Sequence, residues 1–176
     1  MEANGWLAYP ALSRLAQVAP LDMTQQMFLA RCKSLHEVWQ RVPNGYLKSL
    51  LEHAGCPRAS VKDLGSLKLL QALLNVIERL NVHEETSDAF ASGTEPEGWK
   101  DRNVAVAALF LNNDLRIADA HEAMEQCLST LQQLGFDIAT VNAGYGRALD
   151  FVMDGVIDAL SKVSVSIQSL IRRSRP

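Results

Sequence analysis

The chain has 176 residues, enough to bury one sizeable core and too few for two large ones, so a single domain over residues 1–176 is expected. Hydrophobic residues at 48% and charged residues at 21% exclude wholesale disorder. With 17 basic against 20 acidic side chains the net charge is −3, which excludes a global positive field that would draw in nucleic acid and leaves only local contacts for such a partner. Cys32, Cys56 and Cys127 form an odd set without C-x-x-C spacing, which argues against a disulfide framework and a zinc knuckle and fits a reducing cytoplasm. The opening Met1-Glu2-Ala3-Asn4-Gly5-Trp6 lacks the basic start and apolar core of a signal peptide. No apolar run approaches the roughly 20 residues of a membrane span, so a soluble, cytoplasmic protein without a membrane partner is expected.

In chain order, Met1 to Leu21 is broken by Gly5, Pro10 and Pro20 and reads as turns with a short helix. From Thr24 to Arg41, Met27, Phe28, Leu35, Val38, Trp39 and Val42 recur at helical spacing, and Pro43-Asn44-Gly45 is expected to end that helix. A short helix follows from Tyr46 to Ala54, with Gly55 and Pro57 as its stop. Ser60-Val61-Lys62-Asp63 and Gly65-Ser66 both offer a start for the next helix, whose stripe is Leu67, Leu70, Leu73, Leu74, Ile77 and Leu80. Residues 84–101 carry six acids against Lys100, with Gly93, Pro96 and Gly98 interleaved. They read as an acidic loop that Trp99 pins back to the core.

A short helix is expected from Asn103 to Leu111. Asn112, Asn113 and Asp114 are then three capping residue types in a row, so a helix break is expected there, with a new helix running to about Leu134. That would place Arg116 in a first turn, where the helix dipole favours an anion. A guanidinium and free backbone N–H groups converging on a phosphate would explain it, and so would an ion pair with Asp119. Phe136 to Gly146 reads as a loop. The last element, about Arg147 to Arg172, carries Leu149, Met153, Val156, Leu160, Val163, Ile167 and Leu170 as a heptad seam of roughly 38 Å, suited to a bundle or a dimer. Residues 172–176, with Arg172, Arg173 and Arg175, read as a basic tail. No stretch alternates with period two, so the expected fold is all-α, an antiparallel bundle of five or six helices.

The phrase Asn-Asp-Leu-Arg-Ile-Ala-Asp-Ala-His, with its Arg116-x4-His121 motif, resembles the HEPN superfamily of small helical domains. The family often has Asn, Asp or His directly after the Arg; this chain has Ile117. The resemblance implies a metal-independent endoribonuclease without a cofactor, often a toxin or phage-defence effector. It implies Arg116 and His121 as catalytic residues and RNA as substrate, in a homodimer with a composite site. An antitoxin or regulatory protein is a further partner of such effectors. Asn112, Asn113, Asp114 and Asp119 are candidate helpers, the Asn side chains for phosphate or ribose and Asp119 for orienting an arginine. On one ideal helix, positions five apart differ by about 140°, which favours a site shared between protomers. The alternative is a noncatalytic HEPN-like module for dimerisation or partner binding. His121 then packs on the stripe of Met124, Leu128 and Leu131, and Arg116 is a surface ion-pair partner.

Other constellations lack their partners. His121-Glu122 and His36-Glu37 both miss the second histidine of H-E-x-x-H, and no P-loop, G-x-S-x-G or G-x-G-x-x-G occurs.

Overall fold

The computed structural model describes residue 15 and residues 17–40, 43–118 and 121–174; the side chains of residues 90–92, 121 and 122 lie outside that description. Seven α-helices, three 3-10 segments and no strand are found among the described residues, so the fold is all-α. The helices are α1 (Gln25–Trp39), α2 (Asn44–His53), α3 (Arg58–Lys62), α4 (Ser66–Val82), α5 (Ala107–Ile117), α6 (His121–Gln133) and α7 (Gly146–Ser174). None of them is long and apolar enough to cross a membrane. The expectation for Met1 to Leu21 falls almost wholly outside the described residues. The chain divides into two compact units, one of residues 1–41 and 108–157, the other of residues 42–107 and 158–176.

In the first unit, Thr24 sits in extended conformation and its hydroxyl accepts from the Met27 N–H at 3.3 Å, which starts α1. Phe28, Leu109, Leu115, Leu131, Leu149 and Val152 are fully buried. Phe28 stacks on Tyr145 with centroids 5.4 Å apart, and the Tyr145 N–H donates to Met23 O at 2.9 Å. Glycine is required just before that tyrosine. Gly144 holds φ +126°, and a Cβ there would collide with the backbone of Leu21 and Asp22. The expected loop from Phe136 to Gly146 contains a 3-10 segment, Ile138–Ala143, started by the Asp137 carboxylate accepting from the Ala139 N–H at 3.0 Å.

The helix break expected at Asn112 to Asp114 is absent. α5 runs through all three residues to Ile117, and the break comes between Ile117 and His121. Asn103, where a short helix was expected to begin, is the cap, its side chain accepting from the Ala105 N–H at 2.8 Å to start the 3-10 turn that leads into α5. Leu109, Leu111 and Leu115 bury one stripe across the Asn-Asn-Asp run, and such packing overrides weak local propensity. Arg116 therefore lies in a last turn, where the dipole favours a cation. The anomaly inferred from sequence does not exist.

In the second unit, Leu47, Leu51, Val61, Leu69, Leu73 and Leu170 belong to one apolar cluster that also holds Trp99. Asn44 and Gly45, expected to be a stop, open α2 instead, because Pro43 in extended conformation precedes its first turn. Of the two starts considered for the main helix, Gly65-Ser66 is the one used: α4 begins after Gly65, whereas Ser60 lies inside a separate short helix, α3, that starts after Pro57. The buried stripe of α4 is shifted from the expected one: Leu69, Ala72 and Val76 join Leu73, Leu74, Ile77 and Leu80, while Leu67 and Leu70 are only half-buried.

The acidic segment is tied down at its end. Trp99 is buried, its indole N–H donates to Glu95 Oε1 at 2.8 Å, and Lys100 Nζ lies 4.7 Å from its ring centroid. The Asn75 amide donates towards Asp101 O at 2.9 Å, Trp99 O at 3.2 Å and Gly98 O at 3.4 Å, while its oxygen accepts from Asn103 Nδ2 at 2.8 Å. Gly55, at φ +84°, lets the loop pass, since a Cβ would come 2.5 Å from Thr94 O.

The basic tail expected at 172–176 is helix as far as Ser174. Arg173 donates to Glu85 O at 3.3 Å, to Ser169 Oγ at 3.2 Å and to Asn81 Oδ1, and the Ser174 hydroxyl accepts from the Ser87 N–H at 2.8 Å. Arg173 is thus a structural tie. The seam of α7 is also shifted: Leu149, Val152, Val156, Ala159, Val163 and Leu170 are buried, whereas Met153 is half-buried and Leu160 exposed. Alternation of three and four persists, with Val152 and Ala159 in the places expected for their larger neighbours.

Replacing Asn75→Ala removes the amide that gathers residues 98–101. We expect a loss of about 1–3 kcal/mol in stability and faster proteolysis within 84–101, with helicity kept. Urea titration and limited proteolysis check it; unchanged rates would show that Trp99 alone holds the loop.

Candidate functional site

Arg116 is exposed at the C-terminal end of α5, and His121 opens α6. The two residues belong to consecutive helices, so the 140° offset of a single helix does not apply to them. The His121 side chain and all of Asp119 lie outside the described residues, as does the ion pair considered between Arg116 and Asp119. Among the described residues Arg116 pairs with no carboxylate; its Nη2 donates to Asn113 Oδ1 at 3.3 Å. Asn113 Nδ2 in turn donates to Asp114 Oδ1 at 3.3 Å. Arg116, Asn113 and Asp114 thus form a polar group on one turn of α5.

Asn112 has a different place. It is fully buried, accepts from Trp39 Nε1 at 2.9 Å and donates to Cys32 O at 3.0 Å. Both ends of its amide are therefore committed to α1. A buried polar group needs such partners, and here they lock α5 in register against α1.

A second histidine, His36, lies on α1 between the two residues that Asn112 contacts. His36 is 5% exposed, its ring meets the Trp39 ring edge-on at 4.6 Å, and its Nδ1 has no hydrogen-bond partner among the described residues. Burial pushes the imidazole below its ordinary value, and the positive charge of Arg116 pushes the same way; the hydrogen-bonding side chain of Gln40 and the charge of Glu37 oppose them. His36 is thus biased towards the neutral form near neutral pH. Sequence reasoning weighed His36 only as half of a zinc motif. The usable signal was helical spacing: Cys32, His36 and Gln40 form one i, i+4 row on α1, and Asn112 and Arg116 form another on α5.

The thiols do not supply a nucleophile. Burial first, and then Cys127, pushes the Cys32 thiol far up, and burial with Asp114 pushes Cys127 up to about 11. Cys56 is pushed up to about 11 by burial and Glu95, against the smaller opposing effect of Lys100. Among the described residues no three His, Cys, Asp or Glu side chains come together to hold a metal. A cavity of about 150 Å³, lined by Arg79, Glu85, Glu95 and neighbours, belongs wholly to the second unit and includes neither Arg116 nor His121.

Because the folded-state value of His36 is depressed, the unfolded chain binds more protons as pH falls below the ordinary histidine value of about 6.5. The stabilisation is full above that value and is lost as pH drops towards the folded-state value. We expect the denaturation midpoint of the wild type to fall between about pH 7 and 5 more steeply than that of His36→Gln. Parallel slopes would remove His36 from this account. No family model, curated protein or solved structure matches the chain.

Proposed function

We propose that the protein is a HEPN-like endoribonuclease that cuts RNA without a metal, acting as a homodimer and serving as a toxin or phage-defence effector. The observation that carries this reading is the break between α5 and α6, which sets an exposed Arg116, unpaired with any described carboxylate, five residues before the histidine that opens α6. The first backbone N–H groups of α6 have no partners within their own helix and favour an anion beside them. The Arg116-x4-His121 motif supplies the family resemblance.

In the proposed mechanism, the His121 imidazole takes the proton of a ribose 2′-hydroxyl while the 2′-oxygen attacks the adjacent phosphorus. The new O2′–P bond forms as the P–O5′ bond breaks. The departing 5′-oxygen receives a proton from a second imidazole of the composite site or from water, leaving a 2′,3′-cyclic phosphate and a 5′-hydroxyl. Arg116 holds the non-bridging oxygens through two parallel N–H donors and offsets the charge that grows on them. Asn113 steadies the guanidinium from the preceding turn. Asn112 contributes by fixing α5 on α1.

A second reading, a noncatalytic dimerisation or partner-binding module, is favoured by one observation: Ile157, Leu160 and Ile171 are exposed on α7. The two readings separate when purified protein is incubated with mixed RNA in EDTA. The nuclease reading expects cyclic-phosphate ends, resistance of 2′-deoxy substrates, and a loss of about 10²–10⁴-fold in Arg116→Ala and His121→Ala. Intact RNA with the wild type, or equal cutting by both variants, leaves the module reading.

A further inference from the structure

We propose that the cavity of about 150 Å³ in the second unit binds a small zwitterion, a free α-amino acid with a short aliphatic side chain. The site includes neither Arg116 nor His121 and is independent of the nuclease reading.

Three parts of the second unit build the cavity. α4 gives one face at helical spacing, Val76, Arg79 and Leu80, and Ala54 follows directly after α2. Ala54, Val76 and Leu80 are buried and make an apolar floor. The acidic segment supplies the rest, and its backbone is held at several points. Glu84 takes a left-handed conformation, φ 55°, and closes the end of α4: its N–H donates to Asn81 O at 3.4 Å and the Glu85 N–H donates to Leu80 O at 2.9 Å. That turn brings Glu85 back beside Leu80, and Arg173 donates to its carbonyl at 3.3 Å. Further on, the segment passes against Gly55, where a Cβ would come 2.5 Å from Thr94 O, so Thr94 lies next to the turn that follows Ala54. The Trp99 indole holds Glu95 by one oxygen, Oε1, at 2.8 Å and leaves Oε2 without a bond among the described residues.

The charges around this space select its occupant. Arg79, Glu85 and Glu95 all line it, and none forms an ion pair with another among the described residues. The place of Arg79 in the last turn of α4 suits the helix dipole, yet that leaves the N–H donors of its guanidinium unused. An acid without an amine would meet Glu85 and Glu95 as like charges, and an amine without an acid would meet Arg79 as one. A molecule carrying both charges on one carbon satisfies each side. Its carboxylate accepts two parallel N–H bonds from Arg79, and its ammonium donates to Glu85 and to the remaining oxygen of Glu95. The apolar floor takes an aliphatic side chain out of water. Size agrees: a cavity of about 150 Å³ holds benzene, so amino acids of about six to eight non-hydrogen atoms, alanine to valine, match it.

The test is a titration of the full 15N-labelled chain with L-valine, read at the Trp99 indole N–H, which is bonded to Glu95 and is assigned from Trp99→Phe. The Trp39 indole, bonded to Asn112 in the first unit, is the internal control. We expect a saturable shift at Trp99 without one at Trp39, and binding about tenfold or more weaker in Arg79→Gln and in Glu85→Gln. Isobutylamine and isovalerate, which are valine without its carboxylate and without its amine, should each bind at least about tenfold more weakly than L-valine. Arg79 and Glu85 are exposed, so both variants are expected to keep the fold. A Trp99 signal that never shifts saturably overturns the site. Variants that bind L-valine as well as the wild type does, or a half molecule that binds as tightly as L-valine, overturn the assignment of a zwitterion.

Discussion

One buried side chain sets the geometry of the first unit. Asn112 is the only fully buried carboxamide among the described residues, and it spends both halves of its amide on α1. Removing it would leave the Trp39 N–H without its partner, a cost of about 1–3 kcal/mol where water does not reach, and the Cys32 carbonyl with only its bond inside α1. The two bonds also fix register. A slip of one residue along α5 would carry the amide away from both partners, and with it the stretch that positions Arg116 one turn further on. Leucine packing alone tolerates such slips more readily than a polar contact with two defined ends.

The second unit uses the same device at its surface. Asn75 gathers three backbone carbonyls at the end of the acidic segment, and Trp99 drops into the apolar cluster beside them. A segment rich in carboxylates cannot bury itself, so its order comes from a few anchors on helices that are already formed. Arg173 performs the same service for the beginning of that segment through the Glu85 carbonyl. A residue that reads as part of a free basic end is therefore bound to the loop it follows by 88 positions.

The helices of large apolar periodicity were legible in the sequence: α1, α4 and α7 all emerge within a few residues of their expected bounds, and Trp99 was recognised as an anchor. What was not legible follows from the physics of caps. Asn112, Asn113 and Asp114 have the residue types of a helix start, yet the decision between cap and interior depends on burial, and Leu109, Leu111 and Leu115 decided it. Asn103, with the same kind of side chain, does cap, at the position where a helix start was expected. Moving the break from Asn112 to beyond Ile117 changes Arg116 from an unexplained first-turn cation into an ordinary last-turn one. It also separates Arg116 and His121 onto two helices. The burial of His36 was hidden for another reason: it comes from packing between α1 and distant parts of the chain, which no local motif encodes.

The proposed composite site requires that Arg116 of one protomer work with His121 of another. Mixing Arg116→Ala with His121→Ala, each inactive alone, tests this directly. Subunit exchange makes half of the dimers heterodimers, each with one intact composite site out of two, so RNA cleavage should return to about a quarter of the wild-type rate. A mixture as inactive as its components, or a wild-type protein that leaves RNA uncut, would contradict it.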